Sequence, residues 1–330
     1  MRFTAHQIKI KLREAIWCSF WVKFRAIVMA RPGRFGAIVR GFHRYETWRL
    51  SKRVTALLGR RWRRSTKFLE IDLTYRCNMR CNDCNRSVTQ APENTQLDHA
   101  DIQRHIQDWI ARSYRWDRIR LLGGEPTLHP DFLRIVEDLK VYRREHAPKL
   151  IIEVISNGFG ERVNKTLDQL TPDIRIVNTA KTSNTQPVHQ TFNRAPCDFP
   201  EHQNSDFSNG CFVTELSGMG LTPSGYYHCA VAGGIDRIFD LKLGRDAVPE
   251  ISDDMREDMQ ALCRFCGHFT AQMQEVPAEE RLSPSWKDAY ANWRTRRGMR
   301  LRGAEEEGVP LTGNPKPDRA GTQSNRIDSG

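Results

Sequence analysis

Between residues 68 and 178, short β-branched segments alternate with amphipathic ones, and that order leaves few folds open. Phe68–Thr74, Arg118–Leu122, Leu150–Ser156 and Asp173–Asn178 read as strands. Asp98 caps a helix whose apolar stripe is Ile102, Ile106, Trp109 and Ile110. Pro130 opens a second helix carrying Phe132, Ile135, Val136 and Leu139, and residues 161–170 read as a third. Strands joined by crossover helices pair in parallel, so an α/β parallel sheet or barrel is expected, with its site at the C-terminal strand ends.

Charge separates this region from what precedes it. Residues 1–67 hold 18 Lys/Arg against two acids, Glu14 and Glu46, while the whole chain is only +11. The basic excess therefore belongs to an N-terminal arm. Trp17, Phe20, Trp21 and Phe24 lie among its bases in a segment, 8–30, that reads as helical, and Pro32-Gly33 breaks it. A second basic, aromatic stretch from Phe35 to Arg64 carries Phe42, Tyr45, Trp48 and Trp62. Such a composition suits a helix lying in a headgroup layer or a helical pair packed on the body; nucleic acid or an acidic peptide is a weaker alternative. No apolar run is long enough to span a bilayer.

The nine cysteines are an odd number, and the start of the chain does not read as a secretory signal, so a disulfide framework is not expected. Three of them, Cys77, Cys81 and Cys84, fall within eight residues directly after the first strand. Thiolates hold iron–sulfur clusters, and three on a four-iron cubane leave one iron open. Zinc with a fourth, remote ligand is the competing reading of this trio. The next strand ends in Gly123-Gly124-Glu125-Pro126, where two glycines let backbone approach a ligand closely.

Together these motifs resemble those of the radical S-adenosylmethionine (radical SAM) enzymes, whose CxxxCxxC is matched by Cys77, Cys81 and Cys84 and whose GGE(P) is matched by Gly123, Gly124, Glu125 and Pro126. The resemblance covers roughly residues 68–180. It implies a partial (β/α) TIM-like barrel, a [4Fe–4S] cluster whose open iron chelates S-adenosylmethionine, and reductive cleavage to a 5′-deoxyadenosyl radical that abstracts hydrogen. It also implies a one-electron donor such as a flavodoxin or ferredoxin. On the same resemblance the Gly-Gly-Glu loop meets the methionine amino group. Ser156-Asn157-Gly158 matches a small polar turn near the cofactor, and Asn178 and Lys181 are candidates for ribose or carboxylate contacts. There are two departures. Asp83 stands where the family usually has an aromatic residue, and only four strands are evident where six are common, so two lie hidden in 185–222 or the barrel is shortened.

Cys211, Cys229, Cys263 and Cys266 form a second group. Phe212–Thr222 and Gly225–Cys229 read as a hairpin turning at Pro223-Ser224-Gly225, and Cys263-Arg-Phe-Cys266 is a CxxC. Four thiolates can close a zinc site or a fully ligated [4Fe–4S] cluster. The hairpin is similar to the one that opens the SPASM or twitch extension of radical SAM maturases, although only three residues separate Gly225 from Cys229. That likeness implies one auxiliary cluster. Cys18 and Cys197 are left over and read as lone buried cysteines, with a substitute ligand the alternative for Cys197, and His189, His228 and Asp198 are polar candidates for a cavity wall.

The expected organisation is a basic arm (1–67), the partial barrel (68–196), an auxiliary-cluster extension (197–270), a C-terminal helix (271–302) and a disordered tail (303–330). Within the fourth part, residues 284–300 form the helix, and its stripe of Trp286, Tyr290 and Trp293 docks on the body. The expected function is radical SAM chemistry on an unidentified substrate, first a peptide or protein in a maturation or oxidation, alternatively a membrane-associated lipid or glycan. The rival of another class is a non-enzymatic zinc or iron–sulfur protein with a nucleic-acid-binding arm, in which the Gly-Gly-Glu-Pro rim has no purpose. A cytoplasmic protein is expected, with 1–67 the segment for any peripheral contact to the inner membrane face and nucleic acid disfavoured as a partner.

Overall fold

The computed structural model describes residues 41, 43–81, 84–92, 95–183, 192–270 and 281–297. The expectations for 8–30, the 303–330 tail, Cys18, Asp83 and His189 lie outside the described residues.

Six strands form one sheet in the order β4-β3-β2-β1-β5-β6. They are β1 (Phe68–Thr74), β2 (Arg118–Gly123), β3 (Ile151–Ser156), β4 (Arg175–Asn178), β5 (Met219–Thr222) and β6 (Gly225–Tyr227). β1 to β5 pair in parallel, and β6 runs antiparallel to β5. Among the described residues, after a helical segment at 43–49, the helices in sequence order are α1 (Lys52–Leu58), α2 (His99–Ala111), α3 (Phe132–His146), α4 (Glu161–Leu167), α5 (Phe212–Leu216), α6 (Ala230–Phe239), α7 (Arg256–Leu262) and α8 (Pro284–Arg296). Asp98 and Asp101 form a reciprocal capping box at the start of α2, as the sequence suggests for Asp98.

Alternation along the strands sorts residues between two faces. Leu69, Ile71 and Leu73, with Ile119, Leu121, Ile152 and Val154, meet the buried stripes of α2 and α3 in the main core. The alternate positions carry charge. Glu70, Arg120, Glu153 and Arg175 stand in register across four strands, and ion pairs join Glu70 to Arg120, Arg120 to Glu153 and Glu153 to Arg175. A second core gathers Phe192, Ile235, Leu262 and Cys266 around Trp286, Tyr290 and Trp293 of α8, so the expected aromatic stripe does dock on the body.

Two readings of the sequence need correction. Of the two strands sought within 185–222, β5 does lie there and pairs with β1, whereas β6 falls just beyond it at Gly225–Tyr227. The hairpin is also shorter than expected, because its first arm begins with helix α5, at whose N-cap Cys211 stands. Gly218 (φ +107°) then breaks that helix, and a Cβ there would lie 2.3 Å from the Phe68 carbonyl oxygen. A glycine at this contact lets β5 come alongside β1.

Candidate active site

The C-terminal ends of β1 to β4 bring the first motif residues together. Beyond β1, Thr74 Oγ1 accepts a hydrogen bond from Arg76 N (3.0 Å), and the loop then presents Cys77, Cys81 and Cys84, all half-buried. The loop after β2 is stitched to it: Gly124 N donates to Thr74 O (2.7 Å) and Glu125 N to Arg76 O (2.9 Å). The two glycines are required by this approach. A Cβ on Gly123 would stand 2.5 Å from Thr74 O, and one on Gly124 would stand 2.4 Å from Arg76 O, both backbone atoms.

Glu125 is fully buried. Its carboxylate accepts from Thr127 Oγ1 (2.8 Å), Ser156 Oγ (3.0 Å) and Asn157 N (2.8 Å). Burial raises its pKa, against the pull of these donors. The side chain is thus a strut between the ends of β2 and β3, and contacts with a ligand at this loop would fall to its backbone. Pro126 begins the short turn Pro126–Leu128 that follows. Asn157 Nδ2 donates to Asn78 Oδ1 (2.8 Å), tying the third turn to the cysteine loop. Gly158 (φ +65°) sits directly against Asn178, where a Cβ would be 1.9 Å from Oδ1. Asn178 Oδ1 accepts from Ala180 N (2.7 Å), and Lys181 N donates to Asn157 O (2.8 Å). Every residue singled out for this site therefore lies at one edge of the sheet, whereas Asn78 escaped the sequence reading.

Burial, and then the neighbouring Cys84, Glu125 and Cys81, push the Cys77 thiol up to about 12, against a hydrogen bond from Met79 N (3.4 Å). Thiols that oppose one another's ionisation become ligands when a cation replaces their protons. The donor set, three sulfurs on one loop, fits a cluster with one iron left over for a further ligand.

The second group converges more deeply. Cys211, Cys229, Cys263 and Cys266 are all buried and line one small cavity with His228, Leu262 and Phe269. Burial pushes the Cys229 thiol up to about 12, with Cys211 adding to it. Cys263 and Cys266 rise for the same reasons. His228 Nε2 is 3.3 Å from Cys263 Sγ, and burial lowers this histidine to about 3, so it is neutral there. Cys197 is absent from this lining and lies 3.9 Å from Ser285 Oγ. Asp198 accepts from Ser285 N (2.9 Å) at the start of α8 and so holds that helix in place.

α6 connects the two groups. It starts just after Cys229, and Arg237 Nη2 donates to Arg86 O (2.6 Å) and Ser87 O (2.9 Å), just past Cys84. The Arg237 guanidinium also lies over the Tyr75 ring at 4.2 Å. Between the groups is a polar interior. Arg86 pairs with Glu70 (2.6 Å) and stands 3.7 Å from Asp72. Burial would raise Glu70, but Arg86 and Arg120 more than reverse this and hold it low. Asp72 is pushed up to about 6, chiefly by burial, with Arg86 opposing. Both Asp72 oxygens, Arg86 Nη1, and Arg237 Nε and Nη1 are buried without a hydrogen-bond partner. The signal that could have found Asp72 is the alternation Leu69-Glu70-Ile71-Asp72-Leu73, which puts acids on one face of a buried strand.

The Radical SAM superfamily model matches residues 71–196, which contain both motifs. This segment of the chain is a match to a radical SAM domain. The chain is 30% identical over 125 residues to a probable GTP 3′,8-cyclase of Thermococcus kodakarensis, covering 36% of this chain and 40% of that one. It is 34% identical over 104 residues to a GTP 3′,8-cyclase of Haemophilus ducreyi, covering 30% and 28%. The chain thus spans well under half the length of these curated relatives. The solved structure of BtrN in complex with AdoMet and 2-DOIA is similar at 16% identity and a TM-score of 0.39, covering 65% of this chain and 98% of BtrN. Radical SAM proteins use a [4Fe–4S] cluster and S-adenosylmethionine, and the half-buried cysteine trio suits that pair of cofactors. Among the described residues no helix is long and apolar enough to cross a membrane.

Proposed function

We propose that this protein is a radical SAM enzyme whose Cys77, Cys81 and Cys84 hold the S-adenosylmethionine-binding cluster. The observation that carries the reading is the stitching of the cysteine loop to Gly123–Glu125 through the Thr74 and Arg76 carbonyls. When bound, the cofactors supply one-electron cleavage of the sulfonium and a 5′-deoxyadenosyl radical. The chain's own residues then have defined tasks. Backbone of the Gly-Gly-Glu loop receives the amino acid end of the cofactor, Asn157 and Asn78 brace the cysteine loop, and Asn178 and Lys181 border the nucleoside end.

Cys211, Cys229, Cys263 and Cys266 are proposed to hold a fully ligated auxiliary [4Fe–4S] cluster. Four buried thiols around one cavity support this. Among the described residues no three His, Cys, Asp or Glu side chains are placed to grip a single metal ion, whereas a cubane spreads its thiolates over four corners.

The substrate is proposed to bring a polar group to Asp72, Arg86 and Arg237, whose unpartnered buried atoms need one. A hydrophilic small molecule or a polar peptide side chain meets that need, and a lipid would meet it only through a headgroup or glycan. GTP, named for the cyclase relatives, is itself a polar small molecule.

The test is anaerobic reconstitution with iron and sulfide counting, followed by dithionite and S-adenosylmethionine. About eight irons per chain support two clusters and about four remove the auxiliary one. Formation of 5′-deoxyadenosine by the wild type and its loss in Cys81→Ala support the ligand assignment, whereas full retention in Cys81→Ala contradicts it.

A further inference from the structure

The end of the basic arm carries an exposed apolar face that the chemistry above does not use. Tyr45 is 51% exposed, Trp48 54%, Leu57 83% and Leu58 58%. These four are half of the large apolar side chains exposed among the described residues, and they fall within one short stretch. The Tyr45 and Trp48 rings are 6.0 Å apart. Arg49 Nη2 donates to Gly59 O (3.0 Å), which ties the end of the helical segment 43–49 to the residue that follows α1.

This face does not come from a fraying end. Leu50, Val54 and Thr55 are buried against the body. Asp206 N donates to Leu50 O (2.8 Å) and Lys52 N to Asn204 O (2.9 Å). Asn209 Nδ2 donates to Thr55 Oγ1 (2.7 Å). The segment is fixed underneath while its aromatic and leucine side chains face water, an arrangement that costs free energy unless something covers them.

We propose that this face docks the protein on an anionic lipid surface. Charge selects that occupant. Arg44, Lys52, Arg53 and Arg63 are exposed in the same stretch, and its one acid, Glu46, is taken up by Arg61. The preceding 40 residues add nine Lys/Arg against one acid, interleaved with Trp17, Phe20, Trp21 and Phe24. Trp and Tyr favour the headgroup layer, leucines favour the acyl boundary, and each base near an anionic surface adds about 1 kcal/mol. A nucleic acid would use the bases and the aromatic rings but would leave Leu57 and Leu58 in water. A second copy would set one +16 segment against another.

The test is co-sedimentation of the full chain with phosphatidylcholine vesicles and with vesicles containing about 30% phosphatidylglycerol, at low salt and at ~0.5 M salt. Binding to the anionic vesicles about tenfold or more above the neutral ones, weakened by salt, is expected. The triple variant Trp48→Ala/Leu57→Ser/Leu58→Ser should lose about tenfold, whereas Ile251→Ser, which is exposed elsewhere, should lose nothing. All four substituted residues are exposed, and circular dichroism checks the fold. Absence of binding to anionic vesicles overturns the proposal. So does unchanged binding of the triple variant, which would assign the contact to residues 1–40, and so does tighter binding to duplex DNA that the triple substitution weakens equally. Vesicle binding is read without any cluster, so its failure leaves the radical SAM reading intact.

Discussion

The two cysteine groups use the same ligand atom in opposite settings. The first is a trio on one loop at the sheet's edge, half-buried, with glycine backbone packed against it. The second draws four thiols from three separate segments into a buried cavity with apolar walls. A trio on an open edge leaves room for an exchangeable ligand, whereas a sealed quartet completes the coordination of whatever it holds. The difference supports the proposal of cofactor chemistry at the first site and of electron acceptance or substrate anchoring at the second. α6, with Cys229 at its start and Arg237 on the Arg86 and Ser87 carbonyls, links the two.

The largest expected effect breaks that contrast directly. Cys77→Ala should lower 5′-deoxyadenosine formation by about a hundredfold or more, with roughly half the iron lost. Cys263→Ala should lose a similar share of iron yet still cleave S-adenosylmethionine, because the first loop is untouched. Equal loss of cleavage in both variants, measured by chromatography, would erase the distinction between the sites. Gly124→Ala comes next. Its Cβ would press on Arg76 O at 2.4 Å, so the two loops must separate. About tenfold less cleavage with iron content retained is the expected outcome, read by the same assay alongside iron analysis.

Much of this architecture was legible in the sequence because it rests on local signals. The strand positions of β1 to β4, the Asp98 cap, the trio and the Gly-Gly-Glu-Pro turn are each written within a few residues. The place of β5 was not, since pairing 219–221 with 69–71 depends on a glycine, Gly218, fitting against Phe68 from 150 positions away. Arg86 and Arg237 were missed for a related reason. Each looks like a surface cation in sequence, and only the fold brings Arg86 to Asp72 and Arg237 to Tyr75. Asn78 looked like an ordinary polar loop residue until Asn157 was found beside it.

The interior between the sites allows finer tests. Arg237→Met should remove the bonds to the Arg86 and Ser87 carbonyls and cost about 1–3 kcal/mol, read by urea unfolding under argon. Unchanged stability would mean that α6 does not join the two groups. The smallest effect carries a pH signature. The Asp72 carboxyl is raised from 3.8 to about 6 in the folded protein, so the native state holds its proton more tightly than the unfolded chain does. Wild-type stability from this group is therefore present at low pH and is lost as pH rises from about 4 through about 6. Asp72→Asn should gain about 1–3 kcal/mol over wild type at pH 8, and the gain should shrink towards pH 5. A pH-independent difference would place the cause outside this carboxyl.

The most direct measurement is electron paramagnetic resonance of dithionite-reduced protein, with and without S-adenosylmethionine, in two backgrounds. In Cys263→Ala/Cys266→Ala, where only the first site is intact, the added cofactor should shift the cluster signal. In Cys77→Ala/Cys81→Ala/Cys84→Ala, where only the second remains, the signal should stay unchanged. A signal that responds in the second background and not in the first would contradict the assignment of the open coordination position to the loop after β1.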